Sequence, residues 1–150
     1  MPPAGSLTGK RNAGLTQQLT AWAQKDGTGF AFDSSTGFTL PDSAVLSPDV
    51  SWVRREKWDA LSEVEQEEFA PLCPDFVIEL RSRWQTLKAQ QSKMQEYLDN
   101  GTTLGWFIDP RNRRVYVYRA GEEVEVLTDA KTVSANPILP GFELQLTELW

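Results

Sequence analysis

The spacing of apolar positions changes period several times along the chain, and each change marks an element. Between Asn12 and Gln24, Leu15, Leu19 and Trp22 recur at i, i+4 and i+7, the spacing of one helix face. "TGFAF" and "GFTL" then flank the polar "DSST", which predicts two short strands joined by a tight turn. "DVSWV" at 49–53 is a further strand, with Val50 and Trp52 on one face and Ser51 and Val53 on the other. Ser62, followed three positions later by Glu65, is a capping-box signature for a short acidic helix. Pro71 and Pro74 end it and lead into "DFVIEL" at 75–80. The longest helix pattern runs from about Trp84 to Asn100, with Trp84, Leu87, Met94 and Leu98 on one stripe and Asn100-Gly101 as its stop. "LGWFID", "RRVYVYR" and "EEVEVL" read as three strands, turned by Pro110-Arg111-Asn112 and by Gly121. "LPGFELQLTELW" adds a last short apolar segment, and residues 1 to 11, rich in Gly, Pro and Ser, read as a loop or frayed arm.

The connections set the topology. The segment from "DFVIEL" through the long helix to "GWFID" has the length of a βαβ crossover, so those two strands are expected to be parallel. "DVSWV" and "DFVIEL" are expected to be antiparallel neighbours. The reading is one mixed α/β domain over residues 1–150, an αβββαβ core with additional C-terminal antiparallel strands, without repeats or linkers.

Composition removes several chemistries. The chain has no histidine, so Ser-His-Asp and Cys-His triads and histidine-based nucleases are excluded. One cysteine, Cys73, leaves no internal disulfide and no Cys/His zinc site, and fits a reducing, cytoplasmic setting. Any metal must be a hard, oxygen-liking ion, and no apolar run is long enough for a bilayer. A net charge of −6 argues against a general polyanion coat; local basic groups at Arg54, Arg55, Lys57 and at Arg111, Arg113, Arg114, Arg119 more often serve as solvated strand ends, with phosphate contacts as the alternative.

The candidate chemistry lies in two echoing stretches, "SPDVSWV" and "PDFVIEL". If their strands are antiparallel, Asp49 at the start of the first meets Glu79 near the end of the second. Asp75 then lies at the opposite end, about 13 Å away at ~3.3 Å per residue. Two adjacent carboxylates repel unless something positive lies between them, and a divalent ion is the simplest partner. The carbonyl of Leu80 would be a further ligand. Against this, Asp49 could simply open a strand after Pro48, and Glu79 could pair with Arg81 or another base. Arg81, always protonated, suits a phosphate contact rather than a general base. Lys93, flanking the helix stripe, would reach back over the strand ends to orient or activate water, or else stand exposed in solvent. Gln91 is a weaker polar candidate on the same helix. The six tryptophans invite a small-molecule reading, but Trp22, Trp52 and Trp84 all fall on expected core faces.

"SPDVSWV", "LCPDFVIELRS", "QSKMQEYLDNG", "LGWFIDP", "VYVYR" and "LPGFEL", in this order, resemble the Uma-two family. These are bacterial proteins described as putative restriction endonucleases and long carried as a domain of unknown function, within the PD-(D/E)XK nuclease superfamily. The resemblance runs from roughly Gly5 to the C-terminus. It implies a restriction-endonuclease-like fold and an endonuclease of DNA, more than RNA, that uses Mg²⁺ or Mn²⁺. By position, Asp49 and Glu79 match the family's two acids, Lys93 its helix lysine and Gln91 the glutamine before it. A homodimer is the assembly such nucleases often adopt. Two departures stand out: Arg83-Trp84-Gln85 replaces the usual Ser-Asp after "ELRS", and "PPAGSLTGKRN" resembles a stretch normally some forty residues further in, so the family's N-terminal segment is expected to be missing. Both leave room for the alternative, a catalytically degenerate nuclease fold serving as a binding or assembly module.

Overall fold

The computed structural model describes residues 3–150. Its centre is a six-stranded mixed sheet, ordered β1-β4-β5-β6-β7-β8. The strands are β1 (Gly29–Phe32), β4 (Val50–Arg54), β5 (Phe76–Leu80), β6 (Leu104–Asp109), β7 (Arg114–Arg119) and β8 (Glu125–Thr128). β4 and β5 are antiparallel, with Val50 opposite Ile78. β5 and β6 are parallel, joined by α4 (Leu87–Asp99) as the expected crossover. The remaining sheet contacts are antiparallel. Two small antiparallel pairs lie outside it: β2 (Phe38–Thr39) with β3 (Val45–Leu46), and β9 (Thr132–Ser134) with β10 (Glu143–Gln145).

Every residue of β5 and β6 is buried, because both faces of the sheet are covered. On one face α1 (Ser6–Asp26) and the C-terminal segment pack Leu15, Leu19, Phe142 and Leu144 against Val50, Trp52, Phe76, Ile78 and Trp106. On the other, Met94 and Tyr97 of α4 and Phe38 and Leu72 of the long connections cover Val53, Val77 and Phe107. Strand alternation therefore places Glu79, two residues after Val77, on the α4 side. At the outer edge, a Cβ on Gly29 would lie 2.4 Å from the Val53 carbonyl and 2.5 Å from the Trp52 ring, so only glycine allows that approach.

Four expectations are corrected. The N-terminal stretch read as a loop is helical from Ser6, where apolar periodicity is absent. Tertiary contacts hold this helix: Arg11 Nε donates to the Leu149 carbonyl, Gln18 exchanges two bonds with Gln145, and Trp22 Nε1 donates to the Pro140 carbonyl. "TGFAF" and "GFTL" do not form a hairpin. The Asp33 carboxylate accepts from the Ser35 amide at 3.0 Å and shapes the turn, and the chain then leaves the sheet to pair β2 with β3. The long helix begins at Leu87 rather than Trp84, because Thr86 caps it by accepting from the Ala89 amide; Trp84 stays outside at 85% exposure and is no core residue. α2 (Arg55–Asp59), β3 and β9 were not legible in the pattern. The capping box is present as expected at α3 (Glu63–Glu67), with Ser62 and Glu65 bonded reciprocally.

Candidate active site

The β4–β5 register carries Asp49 to the end of β5. Its Oδ2 accepts from the Leu80 amide at 2.7 Å, and its Oδ1 from Asn12 Nδ2 of α1 at 3.4 Å. Leu80 thus enters the site through its N–H. Glu79, 3% exposed, receives two donors on the same oxygen: Lys93 Nζ at 2.8 Å and Tyr97 Oη at 2.9 Å. Lys93 and Tyr97 stand four residues apart on α4, one turn of one face, so a single helix delivers both. Lys93 does lean back over the strand ends, and Glu79 pairs with it rather than with Arg81.

Burial pushes the Glu79 carboxyl up to about 7; Lys93 opposes the rise and the neighbouring Asp49 charge adds to it. Burial also raises Asp49, against the Leu80 amide and Lys93, which favour its charged form. The Tyr97 hydroxyl is raised by burial and by the Glu79 charge, so it remains a neutral donor.

Arg81 follows the same face to the next strand. Its Nη1 donates to Asp109 Oδ2 at 2.8 Å and its Nε to the Gln85 carbonyl at 3.1 Å. Asp109, almost fully buried, would be raised by desolvation, but Asn112 and Arg81 outweigh that and hold it low. Gln91 is half-buried and makes no hydrogen bond to a described residue, whereas its neighbour Gln90 is buried with an unpartnered Oε1. The pattern Gln90, Met94, Tyr97 at i, i+4, i+7 could have identified the inward face, on which Tyr97 and Gln90 were missed.

Asp75 is kept apart, as strand geometry requires. It accepts from the Arg54 amide at 2.8 Å and pairs with Lys57 at 3.2 Å, where it ties β5 to β4 and α2. The basic groups singled out for phosphate are also partly spent on structure: Arg55 donates to the Gly27 carbonyl, and Arg119 pairs with Glu122 and Glu125.

The donor set suits a hard cation. It offers carboxylate oxygens with no sulfur or imidazole, both donors to Glu79 converge on Oε1 rather than Oε2, and beside Asp49 the buried Asn12 Oδ1 has no partner. Among the described residues no group of three or more acids or cysteines is placed to hold a metal ion, so an ion here would have two carboxylates and would need water or substrate for its other positions. A cleft of about 700 Å³ lies elsewhere, between Phe32, Phe38, Trp58 and Phe69.

No helix among the described residues is long and apolar enough to cross a membrane. No curated protein matches the chain. Among solved structures, a putative nuclease belonging to DUF820 from Anabaena variabilis ATCC 29413 superposes with a TM-score of 0.81 at 23% identity, over 99% of this chain and 82% of that one. It shares the architecture, so the mixed-sheet, restriction-endonuclease-like reading of the fold holds. A DrdV–DNA complex gives a TM-score of 0.46 at 17% identity, over 77% of this chain and 10% of that one, too slight a likeness to bear on function. The model of the Uma2 (Uma-two) family, described as "Putative restriction endonuclease", matches residues 1–147, and the chain belongs to that family.

Proposed function

We propose that the chain is a divalent-metal-dependent endonuclease that hydrolyses phosphodiester bonds in DNA. The observation that carries this reading is the meeting of Asp49 and Glu79 at adjacent strand ends with the Lys93 ammonium 2.8 Å from Glu79. Asp49 and Glu79 would hold Mg²⁺ or Mn²⁺, with the Leu80 amide orienting Asp49 rather than its carbonyl binding the ion; such an ion acidifies a bound water and stabilises charge on a phosphate oxygen. Lys93 positions the attacking water and presents its charge to the phosphate. Tyr97 fixes the orientation of Glu79. Arg81 keeps Nη2 clear of described partners and offers it to a phosphate oxygen, while Asp109 anchors the rest of the guanidinium. The water oxygen attacks phosphorus and gives up a proton to solvent, the P–O bond to the leaving nucleotide breaks, and the leaving oxygen takes up a proton from solvent.

The test is incubation of the purified protein with supercoiled plasmid and Mn²⁺ beside an Asp49→Ala/Glu79→Ala control. Nicking and linearisation by the native chain alone are expected; equal background from both sinks the assignment. One observation favours the second reading, a nuclease fold retained as a binding module: Lys93 already neutralises Glu79 in the buried site. Calorimetric titration with Mn²⁺ separates the two, since a degenerate site shows no heat that depends on the two carboxylates.

A further inference from the structure

Trp84 is the most exposed large apolar side chain among the described residues, at 85%. It lies five residues after Glu79 in the loop between β5 and α4, which keeps the two Cα atoms within about 18 Å of each other. The loop is pinned at its base. The Ser82 amide donates to Gln85 Oε1 at 3.0 Å, Arg81 Nε to the Gln85 carbonyl at 3.1 Å, and Thr86 caps the following helix. Arg83 lies over the Trp84 ring with its guanidinium carbon 5.0 Å from the centroid. The ring is thus presented at the tip of an ordered loop with one face lined by a cation and the other in solvent.

The surrounding charge selects the occupant. Residues 81–93 contain Arg81, Arg83, Lys88 and Lys93 and no acid, in a chain of net charge −6; Arg81 and Lys93 are paired with Asp109 and Glu79, while Arg83 and Lys88 have no acidic partner among the described residues. Residues 56–68, around the aromatic cleft, contain six acids against Lys57 alone. A polyanion is therefore drawn to the loop and repelled from the cleft. Aromatic rings beside arginines stack on nucleobases whose faces are open, and duplex bases have theirs covered by their neighbours.

We propose that Trp84, backed by Arg83, is a base-stacking wedge beside the candidate active site, and that the substrate class is DNA with unpaired bases: single strands, flaps or opened duplex. This rests on the nuclease reading for the identity of the polymer and deepens it by naming which form is engaged. Trp84 acts as a positioning residue, since it touches a base and not the scissile phosphate.

Fluorescence anisotropy in EDTA, so that no cleavage intervenes, tests the wedge with labelled oligothymidylate of about 16 nucleotides and a blunt duplex of equal length. The native chain should prefer the single strand. Trp84→Ala should weaken single-strand binding about tenfold, or ~1.4 kcal/mol, and leave duplex binding within about twofold. Trp84→Phe should restore most of the loss. Equal affinity of native and Trp84→Ala protein for the single strand overturns the proposal, as does an equal loss on both probes. A loss that follows a change in oligomeric state by sedimentation also overturns it and marks the ring as a contact between copies. Because Trp84 is exposed, its variants should melt with the native chain. The same binding measured on the Asp49→Ala/Glu79→Ala protein separates the two readings. Trp84-dependent binding without plasmid cleavage removes only the nuclease, and cleavage with Trp84-independent binding removes only the wedge.

Discussion

β5 carries a buried carboxylate at each end, each with a lysine partner, yet the two ends are built for different purposes. At its start Asp75 accepts a backbone amide from Arg54 and pairs with half-exposed Lys57. At its end Glu79 accepts Lys93 and Tyr97 on one oxygen and has Asp49 for a neighbour. One acid is satisfied by the strand beside it and clamps β5 to β4. The other sits against a second acid, and burial lifts it to about 7. A carboxylate with a fixed partner stabilises a fold, whereas two carboxylates forced together hold capacity for a cation or a proton. The local string "PD" points to the first end, and the proposed chemistry belongs to the second.

Cleavage should break the symmetry most sharply. Glu79→Gln is expected to lower Mn²⁺-dependent plasmid cleavage on the order of 1,000-fold, and Asp75→Asn to leave it within about threefold once the folded fraction is matched by circular dichroism. A comparable loss from Asp75→Asn would mean that the two ends are not functionally distinct.

Stability should reverse the ranking. Asp75→Ala leaves the Arg54 amide without its acceptor and Lys57 without its ion pair, which is expected to cost about 2 kcal/mol in urea unfolding at pH 7. The exposed side of Lys57 keeps the ion-pair share of that small. Lys57→Ala should therefore cost less than Asp75→Ala, and an equal cost would show the lysine rather than the amide to be the main partner.

How much of this contrast the sequence disclosed depends on the range of the contact. The order of strands around β5 followed from periodicity and from the crossover length, and the pairing of Asp49 with Glu79 followed from antiparallel geometry alone. Lys93 could be placed because it flanks a periodic stripe. Tyr97 was absorbed into the helix and not recognised as a donor to Glu79. Asp109 escaped notice because its partner, Arg81, lies across a parallel strand pair 28 positions earlier in the chain. Trp84 failed in the opposite sense: its spacing matched the helix stripe, but the Thr86 cap starts the helix later and leaves the ring in solvent. The early start of α1 was illegible because its support comes from the C-terminal segment, more than a hundred residues away.

Removing the charge at the other end should have the opposite sign. The folded-state pKa of Glu79 is raised above its usual 4.5 to about 7, so the folded protein binds the proton more tightly than the unfolded chain. Stability attached to that proton is present below about 4.5 and is lost as pH rises through 7. Glu79→Gln, which stays neutral and keeps its size, should therefore stabilise the metal-free protein by about 2 kcal/mol at pH 8 and have little effect at pH 4.5. Urea unfolding at the two pH values decides it. A loss of stability at pH 8 would show that Lys93 and Tyr97 more than offset the burial of the charge, and would place Glu79 in the same class as Asp75.

Tyr97→Phe gives the smallest effect and isolates one contact, because the ring is kept and only the hydroxyl goes. With ionised Glu79 the lost bond exposes a buried charge to one donor fewer, so the variant should lose about 1 kcal/mol at pH 8 and less at pH 5, where Glu79 holds its own proton. The sign is set by the same linkage: removing a donor to the charged form raises the folded pKa further and deepens the penalty above it. In a Glu79→Gln background the pH dependence of the Tyr97→Phe cost should disappear. If it persists there, the hydroxyl is serving Asp49 or the helix rather than Glu79, and the two carboxylates are less tightly linked than their shared helix makes them.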